Sequence, residues 1–300
     1  MTTPTPEALY LLAFDHRDSF RAKLLGIAGT PTAQDEQRIR EAKRVIFAGF
    51  QRALQGGVAR DGAGILVDEQ YGADIAREAR GMGAGLAMPV EKSGQAEFDF
   101  EYGDAFGDHI EAFDPGYAKV LVRYNPEGDG ASNLRQLALL ARLSRWLREH
   151  DRRFLFELLV PAEREQLGIV GGDAGRYDRE LRPGLMIRAV QELQAGGVEP
   201  DIWKIEGLDA REDCHRLAEA TRAGGRDHVR CVVLGRGGDE ARVVAWLRAG
   251  AGVPGYIGFA VGRTIWWDAL TAWLAGADRD EAVAAIAACY TRLVDAYAEG

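Results

Sequence analysis

Eight short apolar runs punctuate this chain at roughly thirty-residue intervals, and they limit its fold more than any other feature. They are LYLLAF (9–14), GILVD (64–68), GAGLAMPV (83–90), YAKVLV (117–122), FLFELLV (154–160), DIWKIE (201–206), VRCVVLG (229–235) and GYIGFAVG (255–262). Runs of this length without polar alternation read as strands buried on both faces. The segments between them are helical in character. The clearest, 131–150, sets Leu134, Leu137, Leu140, Ser144 and Leu147 at the helical period behind a Ser/Asn start. Further helices are expected over 33–55, 72–80, 183–195, 209–223, 238–250, 264–275 and 279–298.

Strand and helix alternating eight times, with no linker midway, predict an α/β chain that forms a single (β/α)8 TIM barrel over residues 1–300. The usual size of that barrel, about 250 residues, fits with room for insertions. An open doubly wound sheet is the alternative, weakened because no G-x-G-x-x-G follows the first strand.

Apolar residues make up 47% and charged residues 28% of the chain, as in a water-soluble enzyme. A net charge of −9, no dense basic cluster and no helix-turn-helix signature argue against nucleic acid as a partner. The first residues, MTTPTPEALYLLAFDHRD, lack both a basic start and a long apolar stretch, so neither a signal peptide nor a membrane anchor is expected. A cytoplasmic location follows as the expectation. Cys214, Cys231 and Cys289 are odd in number and widely spaced, which suits reduced thiols. The Trp266, Trp267 and Trp273 stretch is read as the last helices packing on the barrel, with a homo-oligomer interface as the other option.

In a barrel of this kind the C-terminal strand ends converge on the active site, and the polar residues fall there. The first strand leads into Asp15, His16 and Arg17, the second into Asp68 and Glu69, and the third into Glu91 and Lys92. Lys119, Glu157 and Lys204 differ from these in lying inside their apolar runs. A buried unpaired charge costs several kcal/mol or is neutralised, so such residues are paired or functional. A lysine in a low-dielectric pocket near a second cation gives up its proton more readily and can attack a carbonyl to form a Schiff base. Lys204 is the candidate nucleophile, Lys119 the second cation and Glu157 the proton shuttle. A Lys204–Glu157 ion pair that serves only the fold is the plain alternative.

Two glycine-rich turns carry a different chemistry. Gly235-Arg236-Gly237-Gly238 and Gly262-Arg263 each precede a helix, after the seventh and eighth strands, where this barrel commonly binds phosphate. Of the five histidines only His16 ends a strand, so a multi-histidine zinc site is hard to assemble. No cofactor is expected, although a magnesium site from Asp15, Asp68, Glu69 and Glu91 stays open.

The strings LLAFDHRDSF, ILVDEQYG, AKVLVRYNPEGD, FLFELLVP, DIWKIEGLD and GYIGFAVGRTIWWDA resemble the 2-deoxy-5-keto-gluconate 6-phosphate aldolase domain of bacterial myo-inositol catabolism. That domain is similar to the class I tagatose 1,6-bisphosphate aldolases. The resemblance runs in order from about residue 8 to 275. It implies a metal-independent imine mechanism with Lys204 as the Schiff-base lysine and Glu157 transferring protons. Lys119 and Asp15 would orient substrate oxygens, and Arg263 with the 235–238 turn would bind phosphate. His16 or Arg17 would meet a carboxylate. Where the tagatose enzymes read Asp-Gln-Arg this chain has Asp15-His16-Arg17, and LGRGG replaces a different small-residue turn. The substrate so implied is a small-molecule sugar phosphate. Rival readings are an aldolase or transaldolase acting on another ketose phosphate or a sulfonated sugar, a metal-dependent lyase or isomerase, and a non-catalytic sugar-phosphate-binding protein.

Overall fold

A computed structural model describes residues 6–300; the first five residues of the N-terminal stretch read above lie outside it. Its strands are β1 (Leu9–Ala13), β2 (Ala63–Leu66), β3 (Gly85–Pro89), β4 (Tyr117–Arg123), β5 (Phe154–Leu159), β6 (Ile202–Glu206), β7 (Arg230–Leu234) and β8 (Tyr256–Val261). They pair in parallel and in chain order, and β8 pairs back onto β1. The barrel is therefore closed, which overturns the open-sheet alternative.

The helices around it are α1 (Ala33–Gln55), α2 (Glu69–Gly81), α3 (Phe106–Phe113), α4 (Gly130–Glu149), α5 (Arg164–Ile169) and α6 (Ala174–Arg176). They continue with α7 (Arg182–Ala195), α8 (Arg211–Arg222), α9 (Glu240–Gly250), α10 (Arg263–Leu274) and α11 (Arg279–Ala298). A capping box starts α1: Asp35 N donates to Thr32 Oγ1 at 3.2 Å, and Thr32 N donates to Asp35 Oδ2 at 3.0 Å. Its buried face, with Ile39, Ala42, Ile46, Phe47 and Phe50, then packs inward. Helix α2 begins earlier than its periodicity predicts, because Asp68 caps it by accepting from Tyr71 N at 2.8 Å. The short helices α3, α5 and α6 were not expected, since so few turns leave no readable period. Trp266 of α10 is fully buried and donates to Ala13 O at 3.0 Å, so this part of the tryptophan stretch is packing.

Two cores result from the strand alternation. Leu9, Leu11, Ala13, Leu66, Ala87, Tyr117, Leu155, Ile202, Val232, Ile257 and Ala260 fill the barrel interior, and the outward residues join the helical layer. Two residues further along the same face stand Lys119, Glu157 and Lys204 on β4, β5 and β6, and Asp15 just past the end of β1. The charged set therefore sits on top of an apolar plug.

Strand β8 reaches that position by a bulge. Cys231 pairs with Tyr256 and Val233 with Phe259, so β8 spends an extra residue against β7. Gly258 lies there at φ +146°, and a Cβ on it would meet Leu9 O at 2.1 Å. The extra residue turns both Ile257 and Ala260 inward and delivers Gly262 to the barrel mouth. Gly258→Ala should cost about 2 kcal/mol or more in urea denaturation. An unchanged midpoint would contradict a need for glycine at this seam.

Candidate active site

Glu157 and Lys204 are direct register partners on β5 and β6, and Lys204 Nζ donates to Glu157 Oε2 at 2.9 Å. Lys119 Nζ, from β4, lies 3.1 Å from the same oxygen. It also donates to Asp15 Oδ2 at 2.8 Å and Glu91 Oε1 at 2.7 Å. All five side chains are buried. The two lysines are thus unequally held, with three carboxylates around Lys119 and one against Lys204.

That inequality sets the charge states. Burial disfavours the ammonium of Lys119, but Asp15, Glu157 and Glu91 outweigh it and hold its pKa well above the usual lysine value. Burial likewise opposes ionisation of Asp15, yet Lys119, His16 and Lys204 bring its pKa below the carboxylate range. Glu157 is also lowered, its burial outweighed by Lys119 and Lys204. For Glu91 burial wins and the pKa rises, in spite of Lys119 and Arg17. Lys119 is a fixed cation flanked by two firmly ionised carboxylates.

Around this floor opens a pocket of about 330 Å³. Asp15, His16, Arg17, Lys119, Glu157, Lys204, Gly235, Arg236, Gly237, Gly262 and Arg263 all line it. Gly238, expected with them, stands behind the turn, where its carbonyl accepts from Thr264 Oγ1 at 2.7 Å. His16 is partly exposed, with Nδ1 3.9 Å from Asp15 Oδ1. Burial, helped by Lys204 and Arg263 against the pull of Asp15, takes its pKa to about 4, so the ring is neutral at pH 7.

Arg17 and Arg236 do different work from Arg263. Arg17 reaches Glu101 Oε2 at 2.7 Å and Glu91 O at 2.6 Å, so it ties the β1 end to the β3 end. Arg236 has a left-handed backbone, φ 50°, and binds Asp178 Oδ1 at 2.7 Å and Glu206 Oε1 at 3.0 Å. Its side chain anchors the β7 turn to β6 and the 177–181 segment. Arg263, at the first position of α10, has no carboxylate partner among the described residues, and its guanidinium lies over Gly237. Lys23, Lys92 and Arg123 also line the pocket without a carboxylate partner among the described residues.

Sequence reading placed Glu91 and Lys92 at a strand end but did not join Glu91 to Lys119, and it missed Arg123 as a pocket wall. Arg123 follows Lys119 by four residues on one strand, a spacing that already puts both on the inner face. The four carboxylates considered for magnesium are each engaged by another side chain: Asp15 and Glu91 by Lys119, Asp68 by Lys43, and Glu69 by His109. Among the described residues no group of three or more His, Cys, Asp or Glu is arranged to hold a metal ion. No described helix is long and apolar enough to cross a membrane.

Because Asp15 and Glu157 are depressed in the folded chain, their contribution to stability is complete above about pH 4 and is lost as pH falls from there. Lys119→Met removes the cause and leaves buried carboxylates uncompensated. Stability at pH 7 should drop by about 3 kcal/mol or more. Part should return at about pH 5, as those carboxylates take up protons, and the gain should exceed that of the wild type, where Glu91 alone of the three is raised. Urea denaturation at both pH values checks this; equal losses would contradict it.

Solved structures share the architecture. The Corynebacterium glutamicum protein Cgl0159 aligns at 19% identity over 96% of this chain and 85% of its own, with a TM-score of 0.58. An archaeal fructose 1,6-bisphosphate aldolase aligns at 14% identity over 98% and 95%, TM-score 0.58. A Schiff-base-forming fructose-1,6-bisphosphate aldolase aligns at 15% identity over 96% and 94%, TM-score 0.57. At these identities the likeness is one of fold. No curated protein matches the sequence. One family profile matches all of residues 1–300, and the chain accordingly belongs to that family, DUF2090, described as uncharacterized proteins conserved in bacteria.

Proposed function

We propose that this protein is a class I aldolase that cleaves a phosphorylated keto-sugar acid through an imine on Lys204. The substrate we favour is 2-deoxy-5-keto-gluconate 6-phosphate, with dihydroxyacetone phosphate and malonate semialdehyde as products. The observation that carries the reading is the unequal partnering of the two lysines. Lys119 is fixed as a cation by three carboxylates, and Lys204 meets a single one, Glu157, at the floor of the pocket. The family resemblance of the sequence and the fold shared with Schiff-base-forming aldolases support the same chemistry.

The steps follow from the contacts. Lys204 adds to the keto carbon as the free amine, and Glu157 takes the proton that the nitrogen sheds on addition. The resulting carbinolamine loses its hydroxyl as water, with Glu157 returning the proton. The iminium then accepts the electron pair of the adjacent carbon–carbon bond, while Glu157 takes the proton of the hydroxyl on the departing carbon. The aldehyde leaves, the enamine is protonated, and water releases dihydroxyacetone phosphate from Lys204. Lys119, beside the reacting nitrogen, stabilises negative charge developing on substrate oxygen.

Anionic ends of the substrate have two walls to meet. Arg263, the first amides of α10 and the Gly235–Gly237 turn suit the phosphate. Arg17 is occupied by Glu101 and the Glu91 carbonyl, so Lys92 and Arg123 are better placed than Arg17 for the carboxylate.

Borohydride reduction in the presence of dihydroxyacetone phosphate, followed by peptide mass spectrometry, tests the reading. We expect one reduced adduct, on Lys204, absent in Lys204→Met and never on Lys119. Glu157→Gln should slow adduct formation by about 10²-fold or more. A folded, phosphate-binding wild type that gives no adduct would overturn the aldolase reading in favour of a sugar-phosphate-binding protein.

A further inference from the structure

Helix α1 buries a lysine in its apolar face. Lys43 has no exposed surface and sits among Ile39, Ala42, Ile46 and Phe47. A cation in such a place costs several kcal/mol unless its hydrogen bonds are made. All three of its protons are used. Nζ donates to Phe14 O at 2.7 Å, to His16 O at 3.1 Å and to Asp68 Oδ1. The rings of Phe20 and Tyr71 lie 5.4 Å and 6.0 Å from it.

The two carbonyls are those on either side of Asp15. The β1–β2 ladder ends at the Ala13–Leu66 pair and the Phe14 N to Leu66 O bond of 2.8 Å. Beyond that point Lys43 holds the β1 end at the carbonyls of residues 14 and 16, and Arg17 ties it to the β3 end. Its counter-ion Asp68 is itself fixed, because Oδ2 accepts Tyr71 N at the start of α2. The chain is gripped from outside the barrel at residues 14 and 16, and the side chain between them points inward to Lys119 at 2.8 Å.

We propose that Lys43, with Asp68 as its counter-ion, is a positioning residue: it holds the backbone around Asp15 so that Asp15 stays on Lys119, and thereby keeps Lys119 a fixed cation beside Lys204. This rests on the imine reading for its effect on rate, and on geometry alone for its effect on Asp15.

A double-mutant cycle tests it, with Lys43→Met, Asp15→Asn and the combined variant. The readout is the rate of borohydride-trapped adduct formation from dihydroxyacetone phosphate, in variants shown by urea denaturation to be folded. Positioning predicts that Lys43→Met slows trapping at least tenfold, as a displacement of about 1 Å does at a reacting centre. It also predicts that adding Lys43→Met to Asp15→Asn slows it no further. A merely structural role predicts a lower denaturation midpoint with trapping unchanged, or effects that multiply; either result overturns the proposal. Should Lys43→Met not fold, Asp68→Asn carries the same cycle, since it keeps an oxygen to cap Tyr71 N while removing the counter-charge. A crystal structure of the folded variant gives the second arm. Asp15 and Lys119 should be separated beyond hydrogen-bond distance, and an unchanged contact overturns the proposal. If the wild type forms no adduct, the imine reading falls, and this structural arm still decides the role of Lys43.

Discussion

One carboxylate oxygen, Oε2 of Glu157, lies within 3.1 Å of two ammonium groups, and the interior of the barrel is arranged around that contact. Two cations and a carboxylate buried at the floor of the pocket are costly unless further charges complete the set. Asp15 and Glu91 complete it, and both approach from the Lys119 side. Charge compensation is therefore asymmetric. One lysine is saturated with carboxylates, and the other is left with a single partner and a face toward the pocket. A symmetrical network would serve stability equally well but would give no reason for one amine to react.

The barrel supplies the precision this needs. Parallel strands in register bring Glu157 opposite Lys204, and the apolar plug under them fixes their height. The bulge at Gly258 lets β8 bring Gly262 and Arg263 to the same mouth, across from Lys92 and Arg123. Anchors behind the loops then hold the mouth: Arg17 between the β1 and β3 ends, Arg236 between β6 and the 177–181 segment. Several of the chain's buried charges are thus engaged in holding other charges.

Much of this was legible in the sequence for a simple reason. Lys119, Glu157 and Lys204 interrupt strands that are otherwise apolar, and a period of two puts them on the interior face. The helices with several turns announced themselves by period, whereas α3, with only Phe106–Phe113, did not. Partnerships were harder. Nothing in the local sequence joins Arg236 to Asp178, or Glu91 to Lys119, because closure of the barrel creates those contacts. Gly258 inside GYIGFAVG was a readable hint of a bulge, since an interior strand glycine often marks one. Lys43 could have been found by the argument applied to Lys204, a lone lysine on an apolar face, had it been extended from strands to helices.

On the proposed reading Lys204, and not Lys119, is the reactive amine, and the pocket takes a keto-sugar phosphate. A crystal soaked with dihydroxyacetone phosphate and flash-cooled tests it most directly. Continuous density is expected from Lys204 Nζ to the keto carbon, with Lys119 still among its carboxylates and the phosphate against Gly237 and Arg263. A ligand seated in the pocket with Lys204 still bound to Glu157 and no covalent link, or a link to Lys119, would contradict it.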